Sequence, residues 1–586
     1  MSRARIVGPL SRGVNASLTE RLAWLAVLLV AWLAPFQPAI SLVHGRLTDV
    51  RTASALGFLA VGLWLLDLGV SRRVPRLPRL LTLALLVWLA LAVLAGLFAP
   101  TNRFDALKFT ARLGLGVGVC LATADLARDA ARRWTLARGM VMAGTVVGLL
   151  GLAEYSAWPP AVAFTSLFKD APTLVGDQVR ISSTFSYTTV AAMYLELVIP
   201  FAVGWLWRAL SEWRRGVTLA LSVALVILGE AMILTFTRSS LIAVLAALAL
   251  MAGIAWRQRQ RRLAFAAAGV GVGLALLVGA TALVTPTLAL RLRTENDRAW
   301  YGAQYAPPPL STLRAGETVT VTVQVTNTGR LAWQPDAARP IGLSYHWLAH
   351  DEDAVANWEG RRAPVPIAVA PGQSTTIAVP VLAPIQSGPY RLAWDMVQDH
   401  VAWFSAKAVP MAIQPVDVTP GALPSTHSPP LLELQPLPRE SAVDLSPSRR
   451  VLWSVALTML RDRPLLGVGP DNFRLAYGRY TGQTIWDTGT HVNNMYLEMF
   501  ADMGVPGGLA FLLLVAATAW TAWRALRRGL ASTHDDAGPV LYLATAGAAS
   551  LLAWHVHGVV DVFYAFLPLA LVYWAILGLV ASQSDT

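Results

Sequence analysis

Along the chain, polar segments separate about twelve long runs of apolar residues. Each run approaches the ~20 residues that a helix needs to cross ~30 Å of hydrocarbon. This pattern predicts a mainly α, polytopic helical membrane protein with about twelve transmembrane helices. The predicted spans are 22–42, 52–70, 80–98, 108–126, 135–155, 188–207, 216–236, 239–256, 263–287, 504–523, 538–556 and 562–581.

Arginine clusters occupy every second connection between the predicted spans. If the N-terminus, with Arg3, Arg5 and Arg12, is cytoplasmic, the positive-inside rule requires this alternation. The other connections are poorer in Lys and Arg, or are long segments that the rule does not govern. The clusters predict that both termini are cytoplasmic. They consist of Arg72, Arg73, Arg76, Arg79, Arg128, Arg132, Arg133, Arg208, Arg214, Arg215, Arg257, Arg259, Arg261, Arg262, Arg524, Arg527 and Arg528.

Two outer segments, about 156–187 and about 290–503, are too long to be simple connections. The second contains short runs rich in β-branched and aromatic residues, separated by Pro and Gly turns, at 318–326, 343–348, 375–381, 390–397 and 401–406. This spacing predicts an extracytoplasmic β-sandwich at 298–415, inserted in the large loop. The predicted domains are 1–290 with spans one to nine, 298–415 with the sandwich, 416–503 with a linker and a periplasmic loop, and 504–586 with spans ten to twelve. Residues 419–447, rich in Pro and Ser, are the predicted linker.

The composition agrees with a bilayer environment for most of the chain. Hydrophobic residues make up 55% and charged residues 14% of the 586 residues, and the mean hydropathy is +0.51, whereas soluble proteins carry roughly 25% charged residues. The net charge of +12 lies in arginines between apolar runs, so we interpret it as a topology signal and expect no nucleic-acid partner. The single cysteine, Cys120, excludes an intrachain disulfide. The first apolar run shows no clear signal-peptide cleavage site, so we expect a span there.

Three polar segments are predicted to meet at the outer face: residues 180–187, residues 235–240, and residues 463–473 with 491–507. Arg238 lies in a very short outer connection, where a charge is costly unless an anion satisfies it. Its planar guanidinium suits phosphate oxygens, and two arginines could clamp a diphosphate. Alternatively, Arg238 extends to lipid headgroups, and Arg180 is merely a solvated arginine of an outer loop.

His491 precedes the tenth predicted span, and its near-neutral pKa suits it to take a proton from an acceptor hydroxyl. A structural role is the alternative for a lone histidine. His555, His557 and Asp561 form a second polar cluster, or else interfacial or packing residues. Asp471 and Glu498 are candidate metal ligands in principle, but their spacing matches no known metal-binding pattern, so we expect no metal and no other cofactor.

The ordered set of motifs resembles the O-antigen ligase and O-antigen polymerase superfamily of bacterial membrane glycosyltransferases. The motifs are Arg-x-Ser-x-Thr-Phe at 180–185, Thr-Phe-Thr-Arg-Ser at 235–239, Pro-Leu-Leu-Gly-Val-Gly-x-x-Asn-Phe at 464–473, His-x-Asn-Asn-x-Tyr-Leu-Glu at 491–498, and Gly-x-x-Gly at 504–507. Many members carry histidine at the position of Asn493, whereas here His491 precedes it by two residues. The large loop of this family is also usually helical.

The resemblance implies metal-independent transfer of a glycan from an undecaprenyl diphosphate donor, at the outer face of a bacterial inner membrane. It implies that Arg180 and Arg238 bind the donor diphosphate and that His491 is the catalytic base. The implied partners are the lipid-linked donor, a glycan, lipid A-core-like or protein acceptor, and membrane lipids. The supporting site residues are Asn493, Asn494, Tyr496, Glu498, Ser183, Thr184 and Asn472.

Residues 327–333 and 343–347 resemble immunoglobulin-like modules of bacterial surface proteins. Such a module binds glycan through exposed tryptophans, or else the tryptophans pack its core. The tryptophans concerned are Trp333, Trp347, Trp358, Trp394 and Trp403.

Other function classes stay open at this point. A transporter or flippase of lipid-linked sugars has a similar number of spans, but its polar residues would lie in mid-membrane rather than at the outer boundary. A surface anchor that displays the sandwich needs far fewer than about twelve spans. Ligase, polymerase and protein O-glycosylating members share a donor and differ in acceptor, which the sequence does not identify.

Overall fold

The structure is a computed structural model of the full chain. It describes residues 17–38, 41–44, 49–169, 172–176, 178–294, 297–350, 354–421, 435–436, 447–483, 486–531 and 537–584. The arginines at positions 3, 5 and 12 and most of the predicted linker at 419–447 lie outside these residues. Contacts divide the chain into a helical unit (1–172, 181–279 and 447–586) and a β-rich unit (173–180 and 280–446).

Sixteen α-helices occur in the described ranges. They are α1 (Leu18–Leu33), α2 (Thr52–Ser71), α3 (Arg79–Leu97), α4 (Arg103–Leu126), α5 (Ala130–Tyr155), α6 (Pro159–Thr165), α7 (Thr188–Ser211), α8 (Arg215–Ile233), α9 (Arg238–Arg257), α10 (Arg261–Val284), α11 (Pro286–Arg293), α12 (Arg449–Asp462), α13 (Phe473–Tyr480), α14 (Met495–Ala531), α15 (Ala537–His557) and α16 (Leu567–Ala581). Short 3₁₀ turns cover Ala34–Phe36, Ser166–Phe168, Arg298–Trp300 and Ser405–Lys407.

Eleven helices of the described residues are long and apolar enough to span a membrane. The chain is therefore a polytopic membrane protein. The twelfth predicted span, 562–581, is only partly helical: α16 is an apolar helix of 15 residues. The first helix lies nearer the N-terminus than the predicted span 22–42. It ends at Leu33, before a 3₁₀ turn that contains Pro35, because proline cannot donate the next helical hydrogen bond.

Small residues allow helices of the helical unit to pack closely. A Cβ on Gly116 of α4 would lie 2.2 Å from Trp574 Nε1 of α16, and a Cβ on Gly578 would lie 2.4 Å from the carbonyl oxygen of Cys120. Glycine at such positions is typical of membrane helix pairs, whose association depends on close packing rather than on the hydrophobic effect. Cys120, which is buried, thus contributes its backbone to a helix contact.

The β-rich unit contains two larger sheets and one two-stranded hairpin in its described residues. The strands of the two larger sheets are β5 (Ala303–Ala306), β6 (Thr312–Arg314), β7 (Thr318–Asn327), β8 (Ile341–Ala349), β9 (Ala354–Asn357), β10 (Ala363–Pro364), β11 (Ser374–Leu382), β12 (Gly388–Gln398), β13 (Ala402–Trp403), β14 (Ala412–Thr419) and β15 (Gln435–Pro436). In the first sheet, the strand order is β15-β9-β8-β12-β14-β6, with β10 and β13 paired to β8 and β12; the second has the order β11-β7-β5. Two short hairpins, β1 (Ser41–His44) with β2 (Asp49–Arg51) and β3 (Thr173–Val175) with β4 (Gln178–Arg180), complete the set.

The tryptophans of the β-rich unit are buried. Trp333 and Trp394 are 0% exposed, and the Trp347 Nε1–H donates to the Leu382 carbonyl across the two sheets at 2.8 Å. The Leu382 N–H in turn donates to the Tyr345 hydroxyl at 2.8 Å. Trp358 and Trp403 are 8% and 4% exposed. This burial favours the packing interpretation of all five tryptophans, while the immunoglobulin-like classification stays a prediction.

Candidate functional site

The Pro-Leu-Leu-Gly-Val-Gly segment is bound to the N-terminal part of α14 by backbone hydrogen bonds. Val468 N donates to Ala501 O at 3.1 Å, Gly469 N to Asp502 O at 2.8 Å, and Val505 N to Pro464 O at 2.7 Å. Helix α14 is kinked at Gly504, where φ is +67°. The structure therefore explains the glycines of both motifs: a Cβ on Gly504 would lie 2.5 Å from the carbonyl carbon of Leu465.

Two buried polar side chains hold the end of this segment. The Asp502 carboxylate accepts hydrogen bonds from the backbone N–H groups of Asp471 at 2.7 Å and Phe473 at 3.0 Å. The Asn472 amide donates to the carbonyl oxygens of Thr101 and Val468, each at 3.0 Å. Asn472 thus supports the loop from within, as a positioning residue, and its side chain is 1% exposed.

His491 forms a close pair with Glu498, one turn into α14. The distance from Nδ1 of His491 to Oε1 of Glu498 is 2.7 Å, and Oε2 of Glu498 accepts from Val492 N at 2.9 Å. An ionised carboxylate only accepts hydrogen bonds, so Nδ1 carries a proton and Nε2 is the ring nitrogen that can exchange one with a substrate. A histidine oriented by a carboxylate in this way is typical of general bases.

The charge state of His491 is set by burial and by Glu498. Burial opposes protonation, but the adjacent Glu498 carboxylate and, more weakly, Asp471 favour it, and the pKa of His491 is raised from 6.5 to about 9. At neutral pH the ring is therefore an imidazolium before substrate binds. To act as a base the ring must first lose this proton, so the fraction of His491 available as a base increases with pH.

Asp471 completes an acidic cluster around His491. One ligand atom each from Asp471, His491 and Glu498 lies within 4.8 Å of the other two, a spacing that could hold a metal ion. Three oxygens of the cluster are already bonded: Arg474 binds Asp471 Oδ2 at 2.8 Å, and both Glu498 oxygens accept hydrogen bonds. Asp471 Oδ1, by contrast, has no hydrogen-bond partner within the described residues. We interpret the cluster as a hydrogen-bonded charge network, and metal independence stays a prediction.

The other motif residues near His491 shape the start of α14. The Asn494 side-chain oxygen accepts from Leu497 N at 2.9 Å, as a helix-capping residue does. Asn493 has φ +54°, a left-handed conformation that asparagine tolerates better than most residues. Tyr496 donates to the His555 carbonyl at 2.9 Å. The structure therefore places His491, not Asn493, against the orienting carboxylate.

Arg238 is the first residue of α9, directly after a tight turn. Phe236 in this turn has φ +57°, a strained conformation for a bulky side chain that is often found at functional sites. Within the described residues, no acidic side chain pairs with the Arg238 guanidinium. A cation at a helix N-terminus opposes the helix dipole, but the free N–H groups there favour anions. The Arg238 guanidinium and the free N–H groups at the start of α9 thus both attract an anion.

The residue after Arg238 belongs to a buried network of which the sequence indicated only His557 as a candidate polar residue. The Ser239 Oγ lies 2.6 Å from His557 Nε2, and His557 Nδ1 lies 2.8 Å from Glu196 Oε2. His557 and Glu196 are both 0% exposed. These contacts join α7, α9 and α15 at the Arg238 turn, which makes His557 a positioning residue. Glu196 could have been noticed in the sequence, since a carboxylate inside an apolar span is costly.

A chain of contacts connects the Arg238 turn with His491. His557 is followed by Gly558, whose carbonyl accepts from Met495 N at 2.8 Å, and Met495 opens the helix that carries Glu498. Both candidate groups therefore lie at the same end of the helical unit.

Residues 181–184 are held in place by the ion pair between Lys169 and Glu154. Lys169 pairs with Glu154 and donates to Ser182 Oγ at 2.7 Å. Glu154 accepts from Ser183 N at 2.9 Å, and Ser183 Oγ donates to Val147 O at 2.8 Å. Ser183 is thus an internal support. Ile181 N donates to Leu234 O at 3.0 Å, which ties this segment to the turn that precedes Arg238.

Arg180 ends β4 and belongs to the β-rich unit. Its role at the donor diphosphate stays a prediction.

Residues 390–512 match a family model described as O-antigen ligase. The chain is similar to the O-antigen ligases. The matched stretch is about a fifth of the 586 residues and includes the loop at 463–473, His491 and Glu498. The similarity supports a relationship to the O-antigen ligase superfamily and a membrane glycan-transfer function, as the motifs predicted. No curated protein matches the chain.

Proposed function

We propose that the chain transfers a glycan from a polyprenyl diphosphate donor, of the undecaprenyl type, to an acceptor at the outer face of a bacterial inner membrane. The observation that carries this proposal is the His491–Glu498 pair, because it lies within the stretch similar to O-antigen ligases and directs Nε2 of His491 to exchange protons. The Arg238 turn, at the same end of the helical unit, supplies the complementary cationic group.

The proposed reaction is a displacement at the anomeric carbon of the donor glycan. Nε2 of neutral His491 takes the proton of the acceptor hydroxyl, whose oxygen forms the new glycosidic bond. The bond from the anomeric carbon to the diphosphate oxygen breaks, and the diphosphate leaves with the electron pair. Arg238, with Arg180 as the second proposed ligand, stabilises the growing charge without reorganising. The proton on His491 then passes to solvent.

The acceptor class is left to experiment. A lipid A-core-like acceptor makes the protein a ligase, a second lipid-linked glycan makes it a polymerase, and a protein makes it an O-glycosylating enzyme. Chelation of divalent cations is expected to leave the rate unchanged, because both Glu498 oxygens and Asp471 Oδ2 are already bonded to protein groups.

A vesicle experiment separates transfer from transport. The purified protein is reconstituted in vesicles whose outer leaflet carries a fluorescent polyprenyl-diphosphate glycan and an acceptor. We expect cleavage of the donor and appearance of labelled acceptor. Movement of intact donor to the inner leaflet, with no cleavage, would instead identify a transporter or flippase and refute the proposal.

The pH profile tests the link between Glu498 and His491. Because the pKa of His491 is about 9, the neutral fraction, and with it the rate of transfer, should rise about tenfold per pH unit below that value and level off above it. Glu498→Gln removes the carboxylate that raises the pKa of His491, whereas the burial that lowers this pKa remains. The rise in rate should therefore move to lower pH, by about 2 units or more, and the plateau should fall because the ring loses its orientation.

The control for this profile is Asp487→Asn, in an exposed turn of the same loop that does not contact His491. Its profile should match that of the wild type. A midpoint that stays in place in Glu498→Gln would contradict the assignment of His491 as the titrating base.

A further inference from the structure

A cavity of about 120 Å³ lies in the helical unit, between the N-terminal ends of α2, α7 and α16 and the turn after α1. By the share of volume that water takes in the liquid, this space holds about four water molecules, which leaves room for a phosphoryl group. Among the site residues predicted from the sequence, only the supporting residue Thr184 lines this cavity.

Arg112 of α4 contributes its side chain to the cavity wall. It lies inside a predicted span that the structure confirms as an apolar helix of 24 residues. An arginine in such a helix is costly and in general has a functional reason. Its planar guanidinium matches phosphate oxygens in two-point geometry.

Thr184 supplies a hydrogen-bond donor that the fold does not use. Its side chain lines the cavity and is 3% exposed, and its Oγ1 has no hydrogen-bond partner within the described residues. The neighbouring donors of the wall are occupied: Gln37 donates to Leu33 O at 2.7 Å, Thr52 to Pro38 O at 3.3 Å and Ser186 to Phe168 O at 3.1 Å. A buried hydroxyl without a partner requires an explanation, and a ligand oxygen provides one.

The rest of the wall fits an amphipathic ligand. No acidic side chain is among the described residues that line the cavity, so its formal charge is positive. Apolar side chains of Phe185, Phe566 and Leu567 cover another part of the wall. A phosphate group attached to an apolar chain fits both the positively charged part and the apolar part of the wall.

We propose that this cavity binds the phosphate group of a membrane lipid, with Arg112 and Thr184 as its polar ligands. The chemistry fits two sources, the polyprenyl diphosphate of the donor and the phosphate of a bilayer phospholipid. Residues 181–184 connect the cavity to the turn before Arg238 through the bond from Ile181 N to Leu234 O, which places it beside the proposed reaction site. Lipid binding is measured without turnover, so this inference does not depend on glycan transfer.

The test is lipid binding to the purified full-length protein in nanodiscs, measured by native mass spectrometry. The probes are polyprenyl diphosphate without a glycan, phosphatidic acid, and inorganic diphosphate. Measurements are made in the wild type and in Arg238→Ala, so that binding at the proposed donor site and binding at the cavity are separated. Thr184→Val should weaken lipid binding about tenfold, since a hydrogen bond to a charged group is lost. Arg112→Gln should weaken it about 100-fold.

The matched control is Arg103→Gln, on the exposed first residue of the same helix α4, which should bind lipid as the wild type does. Thermal unfolding of each variant shows whether it is folded. If Arg112→Gln is unstable, Thr184→Val still tests the proposal, because valine conserves the shape of the threonine side chain. Preferential loss of polyprenyl diphosphate identifies the donor as the source, and loss of phosphatidic acid identifies a phospholipid; both support the proposal. Unchanged lipid binding in Thr184→Val and Arg112→Gln would overturn it.

Discussion

Replacing His491 with alanine should lower the rate of glycan transfer by about 10²–10⁴-fold while the protein stays folded and inserted, the range that general-base catalysis typically contributes. The substitution removes Nε2, the group proposed to take the acceptor proton. The measurement is the initial rate of product formation by purified protein, with donor binding followed in parallel. We expect kcat to fall by this factor and donor binding to change little, because the proposed diphosphate ligands are other residues.

Asn493→Gly is the matched control for His491→Ala, because glycine removes the side chain and keeps the left-handed backbone. Asn493 stands where many similar proteins carry histidine, but its φ is +54°, whereas His491 contacts Glu498. Asn493→Gly should therefore retain most of the activity. If the loss occurred in Asn493→Gly and not in His491→Ala, the base would have been assigned to the wrong residue.

Replacing Arg238 with alanine should lower the rate by about 10²–10³-fold, the range found when one group that stabilises the developing charge is removed. Because Arg238 is proposed to bind the diphosphate both before and after the bond breaks, KM and kcat should change together. Arg238→Lys keeps the charge but loses the two-point geometry, so it should recover only part of the activity.

The same helix offers the control for Arg238. Arg257 is the last residue of α9, is exposed, and lies at the opposite end of the helix. Arg257→Ala should transfer glycan at the wild-type rate. Equal losses in Arg257→Ala and Arg238→Ala would show that the effect comes from the helix as a whole and not from a diphosphate ligand.

The helical part of the fold follows closely from the apolar runs, because a bilayer requires long uninterrupted segments with internally satisfied backbones. The local exceptions have local causes. Pro35 ends the first helix early, and α14 begins at Met495, before its predicted apolar run, because Asn494 caps it and contacts with residues 464–469 support its first turns. The strands at 318–327 and 374–382 are visible in the sequence because exposed and buried residues alternate along them.

The candidate site is only partly visible in the sequence. Arg238 and His491 are marked by their position at helix boundaries and by motifs. The Ser239–His557–Glu196 network is not, since its contacts join residues 318 and 361 positions apart, and no local pattern encodes such pairs. Arg112 likewise becomes a candidate ligand only in the folded chain, where it lines the same cavity as Thr184.

The raised pKa of His491 is a further property of the folded state. It depends on burial and on the Glu498 carboxylate held at 2.7 Å, whereas the sequence alone suggested a near-neutral histidine. The consequence is that the base is active only above neutral pH unless substrate binding changes its surroundings, and the Glu498→Gln profile measures this directly.

The most direct test of glycan transfer is the balance of products from purified protein. A polyprenyl-diphosphate glycan is incubated with the protein and an acceptor, and free polyprenyl diphosphate and lengthened or transferred glycan are quantified together. The proposed reaction predicts equal amounts of the two products from the wild type, and about 10²–10⁴-fold lower rates of formation of both from His491→Ala. Recovery of intact donor with the wild type, or equal product formation by His491→Ala, would contradict it.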